Sequence, residues 1–265
     1  MISSNSDLPG VEVVWGGKLP SHGDFLWSQS RNALRVRLED WLQAGMLQGR
    51  SQYGDAWREF VARAPLWNFL APANALNVDC MVVGCIAPSC DRVGRQYPFV
   101  VGYAFPREML LGSPALVTEL PTLVTLLGYQ MYSAIERAWP RTVLDSIWAN
   151  VLAQWRRDWP CDILPAAPRA GSGSGSGSGT STGSDILDVL GQSATSPVDE
   201  MDMSTRPAAR ESTYPWPDVP GSLRSANGPS FWWTHPAGGA PLKALAYENP
   251  LDGQLMTWLW GRGGR

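Results

Sequence analysis

The sequence predicts an α+β fold: an antiparallel sheet flanked by helices on one or both faces. Two observations point to it. Short apolar runs rich in β-branched residues come in pairs joined by polar turns, and stretches with apolar side chains at helical spacing alternate with those pairs. The regular strand–helix–strand units of a parallel sheet are missing. With 265 residues, 44% hydrophobic and 17% charged, the chain carries enough apolar side chains for a substantial core.

Taken in order, VEVVWGGKLP predicts a strand running into a glycine turn, and DFLWSQ a second short strand. Leu34, Leu38, Trp41 and Leu42 then fall on one helical face, as do Trp57, Phe60, Val61 and Ala64 before Pro65 ends the turn. MVVGCIAP and YPFVVGYAF, joined by the polar turn SCDRVGRQ, predict an antiparallel pair of buried strands. Leu116, Leu120, Leu123, Leu127, Met131 and Ile135 mark a long amphipathic helix, and Leu144, Ile147, Trp148, Val151, Leu152 and Trp155 another. FWWTH and LKALAY predict strands, and Leu251, Leu255 and Leu259 a last helix.

Composition breaks between about Pro160 and Pro229, where Gly, Ser, Pro and Thr replace large aliphatics. Such a stretch cannot bury enough apolar area to offset its ordering entropy. The expected organisation is a main domain over 10–159, a flexible linker over 160–228, and C-terminal strands and a helix over 229–262 that pack on the main domain. Within the linker, SDILDVLGQ (184–192) reads as a transient helical turn capped by Ser184.

A formal charge of -3 and a pI of 5.4 leave no cationic excess for general nucleic-acid binding. MISSNSDLPG lacks a basic segment followed by an apolar one, and no run of about 18 uncharged apolar residues occurs. The expectation is a soluble cytoplasmic protein without membrane insertion; nothing in the pattern sets an oligomeric state. Four cysteines in a chain this long are too sparse for a disulfide framework, and Cys80, Cys85 and Cys90 lack the CxxC spacing of a zinc knuckle. Free thiols, no metal and no cofactor are expected.

Two short stretches concentrate chemistry. In GKLPSHGDFL, Ser21, His22 and Asp24 stand close together, but neighbouring side chains diverge, so Ser21 and His22 are expected to point apart. No GxSxG elbow is present, nor a GxxxxGK[ST] or GxGxxG phosphate loop around Lys18. Gly16, Gly17 and Gly23, with Pro20 and an Asp24 bonded to nearby amides, instead describe a shaped rigid loop. In PSCDRVGR, Asp91, Arg92 and Arg95 crowd a turn bent at Gly94. Such charges either solvate a hairpin tip or offer two guanidinium forks to an acidic partner.

Fourteen tryptophans complete the inventory. Trp41, Trp57, Trp148 and Trp155 belong on core faces, each indole N–H needing an acceptor, while Trp232 and Trp233 should face opposite sides of a strand.

WGGKLPSHGDF (15–25), DAWREFVARAPLWNF (55–69), APSCDRVGRQYPF (87–99) and SFWWT (230–234) together resemble the TagF family of bacterial type VI secretion. Its G-K-x-P-x-x-G-D-F loop is matched by Gly17, Lys18, Pro20, Gly23, Asp24 and Phe25, and its P-S-x-D-x-x-G-R turn by Pro88, Ser89, Asp91, Gly94 and Arg95. The resemblance implies an α+β fold likened to the longin domain. It also implies a non-enzymatic cytoplasmic repressor acting after translation, in association with the forkhead-associated scaffold protein Fha. The long Gly/Ser and acidic insertion departs from the family. The interaction residues singled out are Lys18, Pro20, Gly23, Asp24, Asp91, Arg92, Gly94 and Arg95, on two loops expected to meet at one edge of the sheet and engage the scaffold. The rival readings are a hydrolase working through Ser21 and His22 or through a thiol-bound metal, and a structural component of the secretion apparatus.

Overall fold

A computed structural model of the chain describes residues 8, 10–29, 33–157, 213–225 and 228–261. Residues 1–165 and 209–265 form one unit. The remaining stretch, with the 184–192 segment, lies outside the described residues.

Seven strands make one sheet: β1 (Glu12–Gly17), β2 (Leu26–Trp27), β3 (Trp67–Ala71), β4 (Cys80–Ala87), β5 (Phe99–Pro106), β6 (Ser230–Thr234) and β7 (Ala244–Tyr247). Their order is β2-β1-β5-β4-β3-β6-β7, and every neighbouring pair is antiparallel. The fold is therefore α+β, with eight helices among the described residues: α1 (Ala33–Tyr53), α2 (Ala56–Arg63), α3 (Ala73–Leu76), α4 (Arg107–Gly112), α5 (Pro114–Glu136), α6 (Arg141–Arg157), α7 (Val219–Ser222) and α8 (Gly253–Trp260).

Period-two alternation gives the inner strands β3, β4 and β5 two buried faces, and helices cover both faces of β4 and β5. Val14, Val82, Ile86, Val100 and Ala104 bury against Leu38, Trp41 and Leu42 of α1, Trp57 and Val61 of α2, and Leu255, Met256 and Leu259 of α8. On the opposite face Phe105 meets Trp155 of α6 edge-on at 6.2 Å, Tyr103 donates to the Trp148 carbonyl at 2.7 Å, and Cys85 Sγ lies 3.3 Å from the Val124 carbonyl of α5. Covered on both sides, β4 and β5 read as continuous apolar runs. Asp252 starts α8 by accepting from the Leu255 amide at 3.0 Å, and its own carbonyl accepts from the Trp41 indole at 2.9 Å, so the last helix is anchored at its first turn.

Several sequence expectations change. WNFLA becomes the strand β3, which pairs with β4 on one side and β6 on the other. It is too short and too uniformly apolar to declare its period. Residues 213–225, assigned by composition to the linker, pack on the sheet instead. Tyr214 donates to the Val117 carbonyl at 2.8 Å and lies edge-on to Trp233 at 5.6 Å, while Trp216 meets Phe231 at 5.0 Å. Two aromatic side chains offer more apolar area than the surrounding prolines suggest. Trp232 faces the other way, stacked on Phe69 at 4.9 Å. Trp41 and Trp155 find indole acceptors, but the Trp57 and Trp148 N–H groups have none among the described residues; burial of the two large rings outweighs that cost.

Across the sheet from α1, His235 is fully buried. Nε2 lies 3.0 Å from the Thr125 carbonyl and Nδ1 accepts from the Ala237 amide at 2.9 Å, so the proton of the neutral ring sits on Nε2. Burial lowers its pKa to about 4 from 6.5, the hydrogen bond to Thr125 opposing only in part. Because the folded pKa is depressed, the unfolded chain binds the extra proton between these two values. Stability should be full above pH 6.5 and should fall by on the order of 3 kcal/mol as the pH drops to 4. Denaturant titrations across that range should show the slope, and His235→Gln should flatten it.

Candidate functional site

The two sequence loops meet at the ends of β1, β4 and β5 rather than along an edge of the sheet. Register explains the meeting. Gly17, the last residue of β1, pairs with Phe99, the first of β5, while Ala87, the last of β4, pairs with the same Phe99. The loop after β1 and the turn between β4 and β5 therefore leave the sheet side by side. Gly17 has φ +125°, and a Cβ there would overlap the Pro98 carbonyl oxygen, so only glycine allows the approach. The Lys18 amide then donates to that oxygen at 3.4 Å.

Asp91 stands at the centre, 1% exposed. Its Oδ2 accepts from Lys18 Nζ at 2.9 Å and from Arg95 Nε at 2.6 Å. Its Oδ1 accepts from the Arg95 amide at 2.8 Å and the Val93 amide at 3.1 Å. Four donors occupy the four lone-pair positions a carboxylate offers. Burial alone would raise its pKa. The hydrogen bonds from Lys18 and from the Arg95 amide and guanidinium, with the Lys18 charge, win and hold the carboxyl well below the usual carboxylate range. Lys18 is itself 7% exposed and roofed by the Phe25 ring, 4.9 Å from Nζ to its centroid.

Further bonds cross between the loops. The Arg95 guanidinium donates to the Gly23 carbonyl at 2.7 Å and the Arg92 amide to the His22 carbonyl at 2.8 Å. Phe25 meets Tyr97 edge-on at 4.7 Å. Within the turn, the Gly94 amide donates to the Asp91 carbonyl at 2.9 Å, and Gly94 has φ +81°. Within the other loop, Pro20 occupies the second position of a turn closed by the His22 amide on the Leu19 carbonyl at 3.0 Å.

Of the sequence-predicted residues, Lys18, Asp91 and Arg95 form the clamp, Gly94 bends its turn, and Pro20 shapes the facing loop. Gly23 contributes a carbonyl rather than a left-handed backbone angle. Asp24 bonds no amide: it is exposed and without a partner among the described residues, so the anchoring carboxylate is Asp91. Arg92 is exposed, its guanidinium likewise unpartnered. No local signal in the sequence singled out Phe25 as the roof over Lys18.

Ser21 and His22 do not point apart. The turn folds them together, with Ser21 Oγ 2.8 Å from His22 Nδ1. The hydroxyl donates to the Trp139 carbonyl at 2.7 Å, tying this loop to the connection between α5 and α6. With its single proton on that carbonyl, Ser21 receives a hydrogen from the imidazole rather than giving one. A general base needs the reverse. Burial, followed by the Glu12 and Asp79 charges, pushes the Cys80 thiol up to about 11, and burial raises Cys85, so neither offers a ready thiolate. Among the described residues no three His, Cys, Asp or Glu side chains converge as a metal site, and no helix is long and apolar enough to cross a membrane.

Asp91→Asn keeps the shape but leaves the Lys18 ammonium buried without its counter-charge. Its midpoint of thermal unfolding should fall by several degrees, and adding Lys18→Met should recover part of the loss. Additive losses would place the two side chains in independent roles.

The family model for the TagF N-terminal domain, Type VI secretion system-associated, matches residues 14–151, a span that contains both loops. A crystal structure of PA0076 from Pseudomonas aeruginosa PAO1 is similar at 21% identity over 94% of each chain, with a TM-score of 0.49. No curated protein matches significantly.

Proposed function

The chain belongs to the TagF family of type VI secretion-associated proteins, and from that premise we propose that it is a non-enzymatic cytoplasmic regulator of the system. In this reading it is a post-translational repressor that works by binding the forkhead-associated scaffold protein Fha. The observation that carries the reading is the saturation of Asp91. Every lone-pair position of the most buried carboxylate in the two motif loops is taken by the protein's own donors, so the group holds shape and has nothing left to offer a substrate. Charges spent on each other inside a fold build a surface of fixed contour, which suits recognition by another protein.

The Ser21–His22 contact is the strongest counter-observation, since a hydroxyl and an imidazole at 2.8 Å are the beginning of a nucleophile–base pair. The Trp139 carbonyl takes the hydroxyl proton, and no carboxylate is bonded to the far side of the His22 ring among the described residues. The contact therefore serves loop docking.

A strain lacking the protein should secrete more through the type VI system than the parent, and the wild-type chain should restore repression and capture Fha in a pull-down. The Ser21→Ala and His22→Ala variants should repress as well as the wild type. Folded variants that lose repression while still capturing Fha would favour the hydrolase. Co-purification with sheath or baseplate proteins in place of Fha would favour a structural component.

A further inference from the structure

We infer that Phe25, Arg92 and Val93, carried on the two loops that the Asp91 clamp joins, form a docking site for an acidic peptide segment of a partner protein that also carries an apolar side chain. The inference rests on the protein acting through protein–protein contacts, and it specifies where such a contact is made and with what chemistry.

Three features support it. The first is exposed apolar surface on an otherwise charged turn. Phe25 is 53% exposed and Val93 70%, although the other apolar residues of the two loops are buried or half-buried. Val93 is the tip of its turn, its amide fixed on Asp91 Oδ1, and Phe25 is fixed by Lys18 beneath it and Tyr97 beside it. The Val93 backbone and the Phe25 ring are thus held before binding, which lowers the cost of association.

The second is residual positive charge. Asp91 is consumed by Lys18 and Arg95, and of the charges that remain on the two loops Arg92 is exposed and unpartnered while the Arg95 side chain is still 62% exposed. Asp24 offsets one of these. A chain of net charge -3 thus presents a local cationic point beside two apolar side chains. A carboxylate can take the planar fork of Arg92 in a bidentate pair while an adjacent apolar side chain covers Val93 or Phe25.

The third is scale. One free guanidinium and part of a second are too few for an anionic membrane surface, which needs clusters of about four to eight basic residues. They are also too few for a nucleic-acid backbone, where affinity grows with the number of phosphates neutralised. A peptide carboxylate with an apolar neighbour matches the amount of charge available. Arg95 and Lys18 hold the site and are not its contacts.

The test is a titration of the full-length, 15N-labelled protein with a short synthetic peptide alternating Glu and Leu, against its counterpart alternating Lys and Leu. The acidic peptide should shift the amide resonances of Phe25, Arg92 and Val93, with affinity that weakens as salt rises. Arg92→Glu should weaken binding by about tenfold or more, and Val93→Ser should weaken it less. Both variants should keep the wild-type thermal midpoint, because neither side chain has a hydrogen-bond or ion-pair partner among the described residues; Arg92→Ala serves in place of Arg92→Glu if charge reversal disturbs the fold. Equal response to the Lys peptide, shifts confined to another surface, undiminished binding by the Arg92 variants, or binding to phosphatidylglycerol vesicles in preference to the peptide would overturn the proposal. Because the probe contains no part of Fha, loss of peptide binding with repression intact removes the docking site and leaves the repressor reading. Peptide binding without repression does the opposite.

Discussion

A single buried carboxylate joins two segments that lie 73 residues apart along the chain. Asp91 is removed from water, and so is the ammonium of Lys18; neither charge could be tolerated there alone. What makes the arrangement stable is completeness. Two cations and two backbone amides supply four donors to four lone-pair positions, so the carboxylate's loss of hydration is fully replaced. The same completeness fixes geometry, since movement of either loop would break a bond to the buried carboxylate, where water has little access to replace it.

The sheet supplies the frame for this interaction. Both loops leave the ends of adjacent strands, and the registers of β1 with β5 and of β5 with β4 bring their starting points together at Phe99. Gly17 lets the backbones touch, and the Ser21 bond to the Trp139 carbonyl adds a third support from the helical face. Farther back, Trp15 donates to Asp145 at 2.7 Å and ties β1 to α6. The surface above the clamp thus rests on strands, on a helix connection and on a core covered from both sides. Any surface that recognises a partner by shape gains from such backing, because less order has to be imposed at the moment of binding.

Elements with a strong period were legible in the sequence. The face of α1, with Leu34, Leu38, Trp41 and Leu42, and the long stripe of α5 could be read directly, as could the paired apolar runs of β4 and β5. β3 was not, because its five residues, buried on both faces, carry no readable alternation. Nor was the packing of residues 213–225, where proline and serine masked the two aromatic side chains that reach the sheet. In the site, the sequence named both Asp24 and Asp91 but assigned the bonds to nearby amides to Asp24, whereas Asp91 makes them. Asp24 and Asp91 look equivalent as letters. Which one is buried depends on a contact with Lys18 across the fold, and no local pattern encodes that. The Ser21–His22 contact was missed for a related reason: side chains of neighbouring residues diverge in extended chain, but a tight turn brings them together.

Amide hydrogen exchange tests the clamp most directly. The Arg92, Val93 and Arg95 amides, bonded to His22 and to Asp91, should be protected in the native protein although their residues are exposed. In the Asp91→Asn variant these three should exchange much faster while amides in the centre of β4 and β5 stay protected. If the turn amides of the native protein exchange as freely as open loop, or if the substitution leaves their protection unchanged, the carboxylate does not hold the two loops together.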